Sequence, residues 1–127
     1  MTNRVLISIK PFYAEAILNG LKLYEYRRRV FSRKDIRTLV VYETFPKCMV
    51  VGEVEFLGIL SGTPQDIWGQ TSDYGCVTHD SFMAYFDGRT VAHALRLGKA
   101  TRYSNPTPLS LYNAAIKRPP QSYQYLY

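Results

Sequence analysis

Cysteine and histidine are scarce in this chain, two of each among 127 residues. Cys48 and Cys76 lack the dense spacing of a disulfide framework, and a chain of this length, 46% hydrophobic, can bury a core without a covalent staple. Both read as free thiols. Cys76 and His79 have a metal-like spacing, but a structural zinc site wants four ligands, and Cys48 and His93 are too isolated in sequence to complete one. No metal or other cofactor is expected. A glycine-rich phosphate loop is also missing, since Gly58 and Gly62 fit neither nucleotide fingerprint. The longest apolar runs, 39–42 and 49–51, fall far short of the roughly 20 residues of a membrane helix. The opening Met1-Thr2-Asn3-Arg4 leads into an amphipathic segment, not into the apolar stretch of a secretory leader. The expectation is one domain over 1–127, cytoplasmic, with no membrane partner.

Acidic residues are the other shortage, ten against sixteen lysines and arginines. The surplus is concentrated. Residues 27–37 hold Arg27, Arg28, Arg29, Arg33, Lys34 and Arg37 against Asp35, which is five of the six net positive charges. A local positive field of this kind steers and holds polyanions, so a phosphate-rich partner, RNA or another nucleic acid, is the leading expectation. The plain alternative is a sheet edge guarded by charge against aggregation.

What is present in abundance is strand signal. Residues 4–9 alternate apolar and polar, and Lys10-Pro11 ends that strand and opens a short helix running to about Asn19, closed by Gly20 in the left-handed conformation. Phe12, Ala16 and Asn19 fall on one face of that helix, Tyr13 and Ile17 on the next. A second strand covers 21–29, and the strongest strands, 38–44 and 49–60, are rich in Val and Tyr and form the heart of the sheet. Helices are expected over 64–70 and 78–86, the latter capped by Thr78 and closed at Asp87-Gly88. A strand over 90–96, a rigid connector through Pro106 and Pro108, a helix over 109–116 and an extended tail over 123–127 complete the chain. Strands on both sides of a helical middle, without regular βαβ alternation, argue for an α+β domain on a small mixed sheet or barrel.

Few residues carry chemistry. Lys22 and Glu25 would face opposite ways on a straight strand, so a shared site needs the chain to bend just after Gly20; otherwise they are an ion pair worth about 0–1 kcal/mol. Glu53 and Glu55 share a strand face and read as solvated carboxylates, His79 as a helix-surface residue and His93 as a satisfied strand residue. Tyr24, Tyr26 and Tyr42 neighbour the basic run and are candidates for stacking on bases. Phe82, Tyr85 and Phe86 follow the spacing of a buried helix face, and Tyr123, Tyr125 and Tyr127 that of an edge strand.

The run Ser8-Ile9-Lys10-Pro11, the helix ending at Asn19-Gly20, and the Gly-x-Lys-x-x-Glu-x-Arg piece formed by Gly20, Lys22, Glu25 and Arg27, followed by Arg28 and Arg29, together resemble the ASCH domain family. The likeness continues through Tyr42, Val51-Gly52-Glu53, the segment from Phe82 to Arg89, and Pro119-Pro120-Gln121-Ser122-Tyr123, covering nearly the whole chain. It implies a PUA-like mixed β-barrel with flanking short helices, of a superfamily that binds RNA, and a cleft beside the barrel at Lys10, Lys22, Glu25 and Arg27. One branch of the family removes the acetyl group from 4-acetylcytidine with a lysine and a threonine. Lys22 matches that lysine, but Glu25 stands at the threonine position, so a threonine-nucleophile mechanism does not carry over.

The leading reading is therefore a domain that recognises single-stranded or modified RNA in a basic cleft. Its binding residues would be Lys10, Lys22, Glu25, Arg27, Arg28, Arg29, Arg33, Lys34, Arg37 and Tyr42. The alternatives are a hydrolase of a modified nucleoside or of RNA with Lys22 and Glu25 as its proton-transfer groups, and a protein-interaction module.

Overall fold

Six strands form one mixed sheet in the order β2-β5-β4-β3-β1-β6, seen in a computed structural model that describes residues 3–127. In chain order the elements are β1 (Arg4–Ile9), α1 (Pro11–Leu18), β2 (Tyr24–Arg27), β3 (Thr38–Glu43), β4 (Met49–Gly62), α2 (Pro64–Thr71), a 3-10 turn (Ser72–Tyr74), α3 (His79–Tyr85), β5 (Ala92–Thr107), α4 (Leu109–Tyr112) and β6 (Tyr123–Leu126). β1 and β3 run parallel, and the other neighbours are antiparallel. The long β4–β5 ladder shifts register three times, and such bulges add twist, curling the sheet into a half-barrel. This is the small α+β architecture that the element order implied, and it agrees with the PUA-like fold that the family resemblance implied.

Alternation decides what each face buries. Val5, Ile7 and Ile9 of β1 and Leu39 and Val41 of β3 point inward with Ala14 and Ile17 of α1, while Leu6, Val40 and Tyr42 point outward under Leu109, Ile116 and Leu126. The parallel pair is covered on both faces, which is why residues 39–42 read as an unbroken apolar run. A third cluster joins Ile67 of α2 and Phe82 and Phe86 of α3 to Tyr26, Ala92 and Ala94. No helix among the described residues is long and apolar enough to cross a membrane.

Several boundaries differ from expectation for physical reasons. The Pro106 segment is not a free connector: β5 continues to Thr107, and between the pairs Gly52–Arg102 and Val50–Thr107 β4 advances two residues while β5 advances five. The surplus bulges out of the ladder, where a proline's missing N–H leaves no hydrogen bond unmade. α4 stops at Tyr112, and Ile116 reaches the core from a turn instead of a helix. On α1, Phe12 is exposed, because the buried stripe is Ala14, Ala16, Ile17 and Leu18.

Candidate functional site

β2 and β6 are the two edges of the curled sheet, and Arg27 on β2 reaches across the gap between them. Its Nη2 donates to the Ser8 carbonyl on β1 at 2.8 Å and its Nη1 to Ser122 Oγ, just before β6, at 3.3 Å. A cleft of about 760 Å³ opens along this seam. The first turn of α1 supplies Lys10 and Tyr13 to one wall, α3 supplies Ser81, Phe82 and Tyr85 to the other, and Lys22, Glu25, Tyr26 and Arg27 form the floor.

The bend that brings Lys22 to Glu25 is visible. Gly20 takes a φ of +77°, conformationally inexpensive only for glycine, and the N–H groups of Leu21 and Lys22 both donate to the Ala16 carbonyl, at 2.9 and 3.1 Å. Leu23 N–H then bonds the Tyr74 carbonyl at 2.8 Å, so residues 21–23 lie off the ladder and the Lys22 side chain turns inward.

Lys22 is 1% exposed, unusual for a lysine. Its Nζ donates to the Gly75 carbonyl, lies 5.0 Å from the ring centres of Tyr13 and Tyr26, and stands 3.7 Å from Glu25 Oε1. Burial pulls its pKa below the ordinary lysine range, and the Glu25 carboxylate opposes that pull without cancelling it. The other carboxylate oxygen, Glu25 Oε2, accepts from Arg27 Nε at 3.0 Å and lies 2.8 Å from Nη2. Glu25 Oε1 faces Lys22 beyond hydrogen-bond length and keeps acceptor capacity for a ligand. Two cations on one carboxylate leave the floor net positive while one oxygen still seeks a donor.

Gly75 holds the lysine's acceptor against the aromatic floor. A Cβ built there would overlap Tyr26, with ring carbons Cε2 and Cζ at 2.8 Å. Gly75→Ala is expected to lower stability by about 1–3 kcal/mol through overpacking, and to displace the Lys22 acceptor. Chemical denaturation checks the first effect; a midpoint equal to wild type would mean that Tyr26 has room to move.

Lys10, Lys22, Glu25, Arg27 and Arg28 meet in this cleft, and Arg29 lines an adjoining depression. The basic run divides there. Arg33 pairs with Asp35 at 2.6 Å and lies over the rings of Tyr125 and Tyr127, and Lys34 and Arg37 are exposed on the same β2–β3 loop, so none of the three lines either depression. Tyr42 requires a correction as a stacking residue: it is 5% exposed in the outward core cluster, where β3 alternation puts it beside Leu6 and Val50. Tyr85 requires the opposite one. It is half-buried, lines the cleft, and carries the Arg28 guanidinium 4.5 Å above its ring, while Phe82 and Phe86 are core as expected. Tyr13 was missed as a site residue, although it lies one helical turn from Lys10 and shares its wall.

No family model matches the chain. It is 28% identical over 123 residues to an ASCH domain-containing ribonuclease of Zymomonas mobilis, covering 95% of this chain and 82% of that protein. Crystal structures of ZmASCH from Zymomonas mobilis superpose with TM-scores of 0.89 to 0.91 at 25–26% identity, over 98–99% of this chain and 88–91% of theirs. The likeness to ASCH domains extends over nearly the whole chain, in sequence and in fold. Two Ureaplasma parvum proteins named large ribosomal subunit protein uL22 are 30% identical over 125 residues, 98% of this chain, which spans 40% of their length.

The remaining candidates lie outside the cleft. His93 Nδ1 is 2.7 Å from Ser61 Oγ, and His79 sits exposed against Trp68. Glu53 accepts from Tyr103 at 2.7 Å, Glu55 is exposed, and Cys48 and Cys76 are free thiols.

Proposed function

We propose that this ASCH-like domain binds single-stranded or modified RNA, seating one base in the seam cleft. The observation that supports this most is the Lys22–Glu25–Arg27 cluster on the floor: a nearly buried carboxylate held by two cations, with one oxygen left to accept from a base edge. An exocyclic amine is the natural donor, since a carboxylate pairs with such groups and not with a carbonyl edge. Tyr13 and Tyr85 offer aromatic walls for the base, a contact of about 1–3 kcal/mol, and Lys10 and Arg28 at the mouth suit its phosphates. The second reading, hydrolysis of RNA or of a modified nucleoside by Lys22 and Glu25, draws its support from the ribonuclease name of the Zymomonas mobilis relative.

The test is titration of labelled single-stranded RNA with wild type and Glu25→Gln at several salt concentrations, each sample then run on a denaturing gel. Affinity is expected to fall steeply with salt, and Glu25→Gln, which keeps the shape but weakens the acceptor, to lose about tenfold or more. RNA recovered intact agrees with a binding module. Cleavage by wild type that Glu25→Gln abolishes would replace that reading with the hydrolase, and the absence of any salt-dependent binding would return the fold to a protein-interaction role.

A further inference from the structure

Beside the cleft lies a second depression of about 380 Å³, lined by Arg27, Arg28, Arg29, Arg89, Tyr85, Gln121 and Ser122. It holds four arginines and no carboxylate. Arg27, Arg28, Tyr85 and Gln121 line both depressions, so they form the partition between two adjoining lobes. Arg27 is occupied with Glu25, Ser8 and Ser122, but among the described residues no acidic group pairs with Arg28, Arg29 or Arg89. Arg28 is laid against Tyr85, which orients its guanidinium while stacking uses none of its N–H donors, so they remain able to meet a ligand. Arg89 arrives from another part of the chain, just after Gly88, where a φ of +77° turns the backbone beyond α3. Like charges gathered from two separate segments repel one another in the empty protein. An oriented anion relieves that repulsion, and the planar fork of arginine fits the oxygens of a phosphate.

We propose that this lobe is a phosphodiester subsite, so that the ligand is a nucleotide chain and not a free nucleoside. The inference rests on the reading of the cleft as a base site: one base occupies the cleft while the phosphate leading to the next nucleotide crosses the Arg28–Tyr85 partition onto Arg29 and Arg89. A free nucleoside would fill the first lobe and leave the second without a counter-charge.

Competition against a labelled short RNA decides it, with ribonucleosides, dinucleoside monophosphates and trinucleotides as competitors. Affinity is expected to rise about tenfold or more on adding the first phosphodiester. Arg89→Ala should erase that gain and lower the salt slope by about one, with nucleoside affinity unchanged, while Arg89→Lys, which keeps the charge, should retain part of it. Arg89 is exposed, so both variants are expected to fold as the wild type does, which circular dichroism checks. Equal affinity for nucleoside and dinucleotide, or an Arg89→Ala that weakens both alike or neither, overturns the subsite. RNA binding that is lost in Glu25→Gln but indifferent to Arg89→Ala overturns the subsite alone; a wild type that binds no RNA at low salt overturns the cleft reading with it.

Discussion

Arg27→Ala is expected to give the largest combined loss of any single substitution in the cleft, in stability and in ligand binding together. Arg27 is the clasp of the seam: from the β2 edge it bonds Glu25, the Ser8 carbonyl and Ser122. Removing it leaves Glu25, 7% exposed, with only Lys22 at 3.7 Å for compensation, and breaking a buried pair from one side costs about 3–5 kcal/mol because the partner stays charged and desolvated. Against a typical total of about 5–15 kcal/mol this is a large share, and the melting temperature should fall by about 10 °C or more. A double-mutant cycle separates the clasp from mere side-chain loss. Arg27→Ala combined with Glu25→Gln should be less unstable than the two single losses added together, because the stranded charge is gone, and yet should not recover RNA binding. Additive losses, or an Arg27→Ala no worse than Arg28→Ala, would make Arg27 an ordinary surface cation.

How much of this was legible in the sequence depended on whether local chemistry or tertiary closure set each feature. The first strand, Pro11 at the start of α1, the Gly20 turn and the Thr78 cap were readable because local chemistry fixes them, through side-chain alternation, backbone preference and capping; Thr78 Oγ1 does accept from Ser81 N–H at 3.1 Å. The condition set for Lys22 and Glu25 to share a site, a bend after Gly20, is met at the same glycine, and the two side chains stand 3.7 Å apart. Illegible were the features that depend on how the sheet closes. Nothing in residues 27–37 says that its first three cations end at the seam while Arg33, Lys34 and Arg37 swing to the loop near the C-terminal tyrosines, since that split follows from where β2 stops. Tyr42 and Tyr85 exchanged roles for a related reason. Aromatic spacing shows which side chains share a face of one element, but not whether that face meets a core cluster or a cleft.

Lys22→Met should separate stability from binding, and in opposite directions. At neutral pH the buried ammonium is held against its own desolvation, with one carbonyl, two aromatic faces and a distant carboxylate as partial compensation. Methionine fills a similar volume without the charge, and Glu25 keeps both contacts to Arg27. The variant loses the bond to Gly75 O, about 1–3 kcal/mol for a buried acceptor left bare, but sheds a desolvation penalty of several kcal/mol. The melting temperature at pH 7 should therefore hold or rise, while RNA affinity falls by about tenfold or more because the floor loses one of its two cations. The pH dependence gives an independent check on sign. Burial sets the lysine's folded-state pKa below its unfolded value of 10.5, so between the two the unfolded chain binds more protons than the folded one, and wild-type stability gains as pH rises through that window. Lys22→Met has no such group and should lack that gain, so the stability difference moves in favour of wild type on going from pH 7 toward pH 10.5. Denaturation midpoints for both proteins across this range measure it. A variant that is both less stable at pH 7 and unchanged in its pH dependence relative to wild type would show that Lys22 is a satisfied structural residue, and the binding role of the cleft floor would then pass to Glu25 and Arg27 alone.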